Sequence, residues 1–243
     1  ETDPTKQTVM TNTDITWKYL GVNANGEMEI MASLSTTTAA AANTKVKLSG
    51  KGGYLKGPEM LNTICEKLYS VSGIGTARSM NIDDVNNILG YTGPKGIYWD
   101  TDGGWVKTST ALTIGEIDKK LGTSLGTITK TPDGKELGTY YADYYTINKT
   151  SENIKNTANK DLVYDAKNTY WLASPCVGVH VGDNSAIFRV RCVGPAGVDA
   201  RNMFFSNGDS YDNSSEVRPV VKLDPSVKVE KDATAANTWN ISK

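Results

Sequence analysis

Ala186-Ile-Phe-Arg-Val-Arg-Cys-Val193 carries the clearest secondary-structure pattern in this sequence. Its apolar residues Phe188 and Val190 alternate with Ile187 and Arg189, and a period of two is the pattern of a β-strand. We therefore expect a strand that turns Phe188 and Val190 toward the core and Ile187 and Arg189 toward solvent.

Other segments of strand composition lie before and after this one. Thr169–Ser174 is typical of a buried strand, and 217–223 has strand character again. Near the start of the chain, 16–22 and 27–33 are separated by the turn sequence Asn23-Ala-Asn-Gly26, which predicts a β-hairpin. Several short strands thus precede and follow the central one.

Helices are predicted over 58–69, 82–89 and 113–122, and a polar helix is expected around 151–159. Strands and helices do not alternate regularly, so a doubly wound parallel sheet is disfavoured. The prediction is a single α+β domain in which two or three helices pack on small antiparallel sheets joined by long loops.

Composition excludes several classes of function. The net charge of −1 leaves no basic excess for nucleic acid, and no apolar run is long enough to span a membrane. One histidine and three cysteines without metal-like spacing disfavour a zinc site, and a nucleophilic triad would need His180 as its base. We predict no cofactor and no metal, and we expect Cys65 to be a buried apolar residue.

The segment from Cys176 to Ser215 has an unusual composition. It contains no Lys, Glu, Gln or Trp, although it lies in a chain with 21 Lys. If each adenine of an Asn codon is replaced by any base, the reachable residues exclude Lys, Glu, Gln, Trp and Met. The segment matches that set with Met203 as the one exception. An ordinary polar loop surface is the alternative interpretation.

At this point the chain resembles a known family. Tyr170-Trp-Leu-Ala-Ser-Pro-Cys-Val177, Ala186-x-Phe-x-Val-Arg-x-Val193, Phe204-x-Ser-x-Gly208 and Val217-Arg-Pro-Val-Val221 are similar to motifs in the variable proteins of diversity-generating retroelements. Those are prokaryotic and phage proteins with a C-type lectin fold, close to that of formylglycine-generating enzymes. The resemblance extends over most of 15–223 and implies that adenine-directed reverse transcription rewrites the end of the gene.

The resemblance divides the segment into frame residues, which hold the fold, and display positions, which contact the ligand. The frame residues are Trp171, Phe188, Val190, Val193, Val198, Phe204, Ser206, Gly208, Val217, Arg218 and Pro219. The display positions are Gly178, His180, Gly182, Asp183, Ile187, Arg189, Cys192, Gly194, Pro195, Gly197, Asp199, Arg201, Asn202, Phe205, Asn207, Asp209, Tyr211, Asp212, Asn213 and Ser215. Arg218 stands among apolar residues, so we expect it to be partly buried and hydrogen-bonded.

The function implied is non-enzymatic binding of an unknown protein or glycan ligand, for receptor recognition or adhesion. Tyr211, Phe205 and Arg201 are residue types that dominate binding hot spots. Two alternatives stay open: an invariant structural or surface domain, and an enzyme related to the formylglycine-generating oxidase, with Cys176 and Cys192 as its thiols.

The predicted organisation is an N-terminal extension (1–14), a C-type lectin-like domain (15–224) with a variable region at about 176–216, and a C-terminal tail (225–243). The sequence starts at Glu1, which we interpret as a processed or trimmed chain that lacks an upstream targeting or anchoring segment. The resemblance implies exposure on a bacterial cell surface or a phage particle.

Overall fold

The structure is a computed structural model. It describes residues 17–33, 45–99, 105–108, 112–113, 141–164, 169–180, 185–206, 208–231 and 239–242. The predicted helix over 113–122 lies outside these residues, except for Thr113, which belongs to a strand. Among the described residues, no helix is both long and apolar enough to cross a membrane.

Within the described ranges the chain forms sixteen strands and three α-helices. The first strands are β1 (Trp17–Val22), β2 (Met28–Ala32), β3 (Lys45–Ser49), β4 (Gly75–Ser79), β5 (Gly96–Trp99), β6 (Trp105–Thr108), β7 (Leu112–Thr113) and β8 (Tyr141–Ala142). The others are β9 (Ile147–Asn148), β10 (Tyr170–His180), β11 (Ser185–Gly194), β12 (Gly197–Phe205), β13 (Asp212–Glu216), β14 (Pro219–Leu223), β15 (Lys228–Lys231) and β16 (Trp239–Ser242). The helices are α1 (Gly50–Tyr69), α2 (Ile82–Leu89) and α3 (Lys160–Tyr164).

Two sheets carry the fold. The smaller is antiparallel in the order β1-β2-β14-β4, so the predicted N-terminal hairpin pairs with a strand from near the other end of the chain. The larger has the order β3-β13-β10-β11-β12-β9, with β5 paired to β10 and β6 paired to β5. Its only parallel pairings in the described chain are β10 with β13 and with β5. The predicted α+β class is therefore confirmed.

Helix α1 starts eight residues before the predicted start at Pro58, and the proline lies inside it. The additional turns are rich in glycine, which has low helix propensity, so tertiary packing must stabilise them. A Cβ on Gly53 would lie 3.0 Å from the carbonyl carbon of Leu48, and one on Gly57 would lie 3.1 Å from its Cδ1. The glycines thus let the helix pack closely against β3.

Helix α2 is confirmed with its predicted ends. The Asn81 side chain accepts a hydrogen bond from the Asp84 N–H (2.9 Å), the Asp84 carboxylate accepts one from the Asn81 N–H (2.8 Å), and Gly90 ends the helix with φ 56°. The polar helix expected over 151–159 is wrong. That segment forms turns and a 3-10 turn at Thr157–Asn159. The side-chain amides of Asn156 and Asn159 donate to the Ile88 carbonyl at the end of α2 (3.3 and 3.1 Å). The Ser151 hydroxyl accepts from the Asn153 N–H (3.2 Å), a local bond that competes with helix formation.

The central strands β10 to β12 have apolar contacts on both faces. Trp171, Phe188 and Phe204 belong to a cluster under α1, and the Trp171 indole N–H donates to the Val46 carbonyl (2.8 Å). Leu172 and Val193 belong to a second cluster with residues of α2 and α3. Every predicted frame residue is buried apart from Gly208, whose φ of 108° is a conformation that favours glycine.

Arg218 is more deeply buried than the sequence predicted, with no exposed surface. Its Nε donates to the Ala32 carbonyl (3.0 Å). Its Nη1 donates to the Val163 carbonyl (3.2 Å) and to the Tyr170 hydroxyl (3.1 Å). One guanidinium therefore connects β2, α3 and β10.

We expect Arg218→Met to lower the free energy of unfolding by at least about 2 kcal/mol, because a buried acceptor that loses its donor costs about 1–3 kcal/mol. Urea denaturation followed by tryptophan fluorescence measures the change. The exposed Lys228→Met variant is the control and should change stability by about 0.5 kcal/mol or less. Equal stability of the two variants would contradict a supporting role for the guanidinium.

Candidate ligand-binding surface

The predicted display positions divide into four groups by exposure. Exposed are Pro195, Asp199, Arg201, Asp209, Tyr211 and Asp212. Half-buried are Arg189, Gly194, Gly197, Asn202, Phe205 and Asn213. Buried are Gly178, Ile187, Cys192 and Ser215. Outside the described residues lie Gly182, Asp183, Asn207 and the side chain of His180.

The expected exposure of Ile187 is wrong, since only 7% of the residue is accessible. The period of two correctly separates the two faces of β11, but the face of Ile187 is also covered. Residues 143–146 lie over this face, and the Tyr144 N–H donates to the Val177 carbonyl on β10 (3.1 Å). A strand covered on both faces loses the polar side that the prediction assumed.

Arg189 and Arg191 fasten this covering segment to the sheet. The Arg189 guanidinium lies 4.2 Å from the centroid of the Tyr144 ring, and that of Arg191 lies 4.3 Å from the Tyr145 ring. Arg191 is buried and donates to the carbonyls of Tyr145 and Asp143. The expectation that Arg189 turns toward solvent is therefore wrong, because the residue is half-buried and its charge lies against an aromatic face.

The covering segment also reaches the display positions of β12. The Tyr144 hydroxyl donates to the Asp199 carboxylate (2.8 Å). Burial and the nearby Asp199 charge raise the pKa of Tyr144, so the phenol stays protonated and remains a donor. Burial likewise raises the pKa of Asp143 above its ordinary value, although Arg191 opposes that shift. The hydrogen bond from Tyr144 holds the Asp199 carboxylate in one orientation.

Three further display positions are constrained by packing. Cys192 is 2% exposed and packs in the cluster under α1. Ser215 is 3% exposed on β13, where it pairs with Val46 of β3. At Gly197 any Cβ would collide with the carbonyl oxygen of Ile147, because β9 approaches the backbone closely. Their predicted exposure is wrong at Cys192 and Ser215, and Gly197 has no room for a side chain.

One exposed patch is an aromatic hairpin at the end of β12. The rings of Phe205 and Tyr211 are 5.4 Å apart at 45°, and Tyr211 is 41% exposed. The Phe205 N–H donates to the Asp209 carbonyl (2.9 Å), and the Tyr211 N–H donates to the Met203 carbonyl (2.9 Å). A bonded backbone thus presents an accessible aromatic pair, which we call the hairpin patch (Phe205–Tyr211).

The first residues of β13 border the hairpin patch. Asp212 forms an ion pair with Lys47 (2.6 Å), and the hydrogen bond from that lysine lowers the pKa of Asp212. The Asn213 amide donates to the Asn202 carbonyl (2.8 Å). These two display side chains therefore also serve as intramolecular partners.

A second patch is concave. A pocket of about 370 Å³ opens at the turn between β11 and β12. Its lining includes six display positions, namely Cys192, Gly194, Pro195, Gly197, Asp199 and Arg201. Thr146, Asn148 and Thr169 also line it. We call this site the turn pocket; it gathers display positions from both strands into one cavity.

The thiols have no feature of a reactive site. Cys65, Cys176 and Cys192 are free and buried, and burial raises the pKa of each to about 12. The buried position of Cys65 confirms the sequence prediction. In the described part of the chain, no group of three or more His, Cys, Asp or Glu residues could hold a metal ion.

Sequence reasoning did not assign Tyr144, Asn148, Thr169 or Lys47 to this surface. The adjacent Tyr144 and Tyr145 are typical of a strand, but that pattern does not indicate which surface they contact. No sequence pattern indicates a role for Lys47, since its ion pair with Asp212 joins residues that are distant in sequence. Side chains contributed from other elements become apparent only when the sheets are assembled.

Comparisons with protein-family models, with curated proteins and with solved structures found no match for this chain. The geometry of the surface is therefore the basis for proposing a function.

We expect Ile187→Ala to cost about 2–5 kcal/mol of stability, as deletion of buried methyl groups does, close to the effect of Phe188→Ala at a frame position. Tyr211→Ala and Arg201→Ala should change stability by about 0.5 kcal/mol or less, because both residues are exposed. Chemical denaturation of the four variants measures this. A large loss for Tyr211→Ala would show that the hairpin patch belongs to the core.

We expect none of the three thiols to react with Ellman's reagent in the native protein at pH 8, because a thiol with a pKa of about 12 is protonated there and these thiols are buried. All three should react after unfolding in guanidinium chloride. Fast native modification of Cys176 or Cys192 would instead indicate an accessible thiolate and would favour the oxidase-related alternative.

Proposed function

We propose that this protein is a non-enzymatic ligand-binding protein of C-type lectin type whose binding surface is diversified by a retroelement. The observation that carries the proposal is the contrast on β12 between the buried frame residues Val198 and Phe204 and the exposed display positions Asp199 and Arg201. Rigid elements with variable exposed positions are the usual way to change specificity while keeping a fold.

The chemistry of the exposed positions supports binding. Tyr211 and Phe205 form an accessible aromatic pair, and Arg201 is an exposed cation at the turn pocket. Tyr and Arg are enriched in binding hot spots, and surrounding Gly, Ser, Asn and Asp resemble the adaptable part of an antibody paratope. The unusual composition of the segment thus coincides with surface suited to recognition.

Two further observations support the assignment. Small antiparallel sheets packed with helices are what the resemblance to C-type lectin folds implies. Cys176 and Cys192 belong to different core clusters and are buried, which disfavours chemistry that needs a pair of accessible thiols. We propose a protein or glycan as the ligand, and display of the protein on a bacterial cell or a phage particle.

The test is to sequence the genomic region around the gene. We expect a reverse transcriptase gene and a second copy of the DNA that encodes 176–216, differing from the gene at adenines only. The mismatches should fall on codons of exposed positions such as Arg201 and Tyr211.

The buried positions provide the internal control. Codons for Phe188 and Phe204 should be identical in the two copies, because changes there would remove core side chains. A genome with neither a reverse transcriptase nor a repeat would overturn the diversification and favour an invariant surface domain. Mismatches scattered over all four bases would overturn the adenine-directed mechanism.

A further inference from the structure

We infer that the turn pocket binds an acidic sugar, with Arg201 as the counter-ion of its carboxylate. The inference deepens the proposed binding function and rests on it, because it names the ligand class of one display patch. The pocket volume of about 370 Å³ is at the small end of ligand sites, which range over about 300–1,000 Å³. A single sugar residue fits that size better than an extended chain does.

Arg201 is the group that selects for negative charge. It is exposed, it lines the pocket, and its polar contact is the Cys192 thiol. Among the residues that the structure describes, no carboxylate forms an ion pair with it. A guanidinium without an acidic partner is suited to a bidentate bond with a ligand carboxylate.

The other polar groups suit the hydroxyls of a sugar. The Asn148 side-chain oxygen already accepts from the N–H and the hydroxyl of Thr150 (2.9 and 2.8 Å), which leaves its amide nitrogen as a donor. Asp199 has one oxygen bound by the Tyr144 hydroxyl and the Ala200 N–H, and its other oxygen can accept from a ligand hydroxyl. The pocket thus combines the Arg201 cation, a neutral donor and the anionic acceptor Asp199.

A peptide bound as an added strand fits this site less well. Strand β12 pairs with β9 at Gly197 and Val198. Beyond Val198 this side of β12 is an edge that does not pair with β9. On that edge the Ala200 N–H donates to the Asp199 side chain, and the Asn202 carbonyl accepts from the Asn213 amide. Because side chains occupy these backbone groups, strand addition would have to displace them.

The experiment is a titration of the ¹⁵N-labelled protein with D-glucuronate and with N-acetylneuraminate, followed by amide chemical shifts. We expect saturable shifts in 192–201 with at least one of the two acids. The methyl ester of glucuronate should bind at least about tenfold more weakly, since a charge-assisted hydrogen bond is lost. Methyl-ester binding equal to that of the acid would overturn the role of the carboxylate, and no saturable shift with either acid would overturn the site.

Two variants test the residues separately. Arg201→Gln should weaken binding of the acid about tenfold or more, while Arg201→Lys keeps part of it. Gly194→Leu should abolish binding by filling the pocket, because a Cβ there meets only the Thr169 hydroxyl at 3.6 Å. The control is Lys149→Gln, which removes a cation that contacts the Tyr164 ring beside the pocket. Equal weakening by the control would overturn specific recognition by Arg201.

The remaining outcomes separate this inference from the proposed function. Tighter binding of N-acetylglycine than of either sugar acid would show that the ligand is a peptide carboxylate and would overturn the assignment of a sugar. A genomic repeat without binding of either sugar acid would overturn this inference and would still support the proposed diversification of the surface. Sugar-acid binding without a repeat supports the pocket and overturns the diversification.

Discussion

The buried guanidinium of Arg218 is the interaction on which the arrangement of the sheets depends. It lies between β13 of the larger sheet and β14 of the smaller one, and it donates to Ala32, Val163 and Tyr170 from three other elements. A buried charge without hydrogen-bond partners would be very costly, so Arg218 is tolerated at this position because these three acceptors surround it. The same geometry therefore fixes where β2, α3 and β10 meet.

This arrangement determines which positions can tolerate variation. Strands β10, β11 and β12 are covered by α1 on one face and by residues 143–146 and the other helices on the second face. Side chains in the middle of β11 are consequently buried in either direction, apart from the half-buried Arg189. Exposed positions remain at the turn between β11 and β12, at Asp199 and Arg201 on β12, at the hairpin patch and at the start of β13.

The sequence predicted the features that depend on local patterns. The alternation of residues around Phe188, the caps of α2 and the first hairpin all follow from neighbouring residues, and all are present. It could not predict the first half of α1, because packing of Gly53 and Gly57 against Leu48 outweighs their low helix propensity. Nor could it predict the burial of Ile187, which depends on a segment that covers the strand from elsewhere in the chain. For the candidate site, local patterns identified the exposed residues of the turn and the hairpin, while Tyr144, Asn148 and Lys47 required the assembled sheets.

The two exposed patches lie at opposite ends of the same strand, and this limits what kind of partner can use both. β12 carries Asp199 near its start, Arg201 at its middle and Phe205 at its end, so at about 3.3 Å per residue Phe205 lies about 20 Å from Asp199 and about 13 Å from Arg201. A single sugar in the turn pocket cannot reach the aromatic pair of the hairpin patch. A partner that engages both must therefore be larger than a single sugar, and protein interfaces of about 800 Å² per side are large enough to include the two patches. Under the proposed function, an acidic glycan attached to a larger surface would place its charged sugar on Arg201. The aromatic pair would then contact the surface to which the glycan is attached.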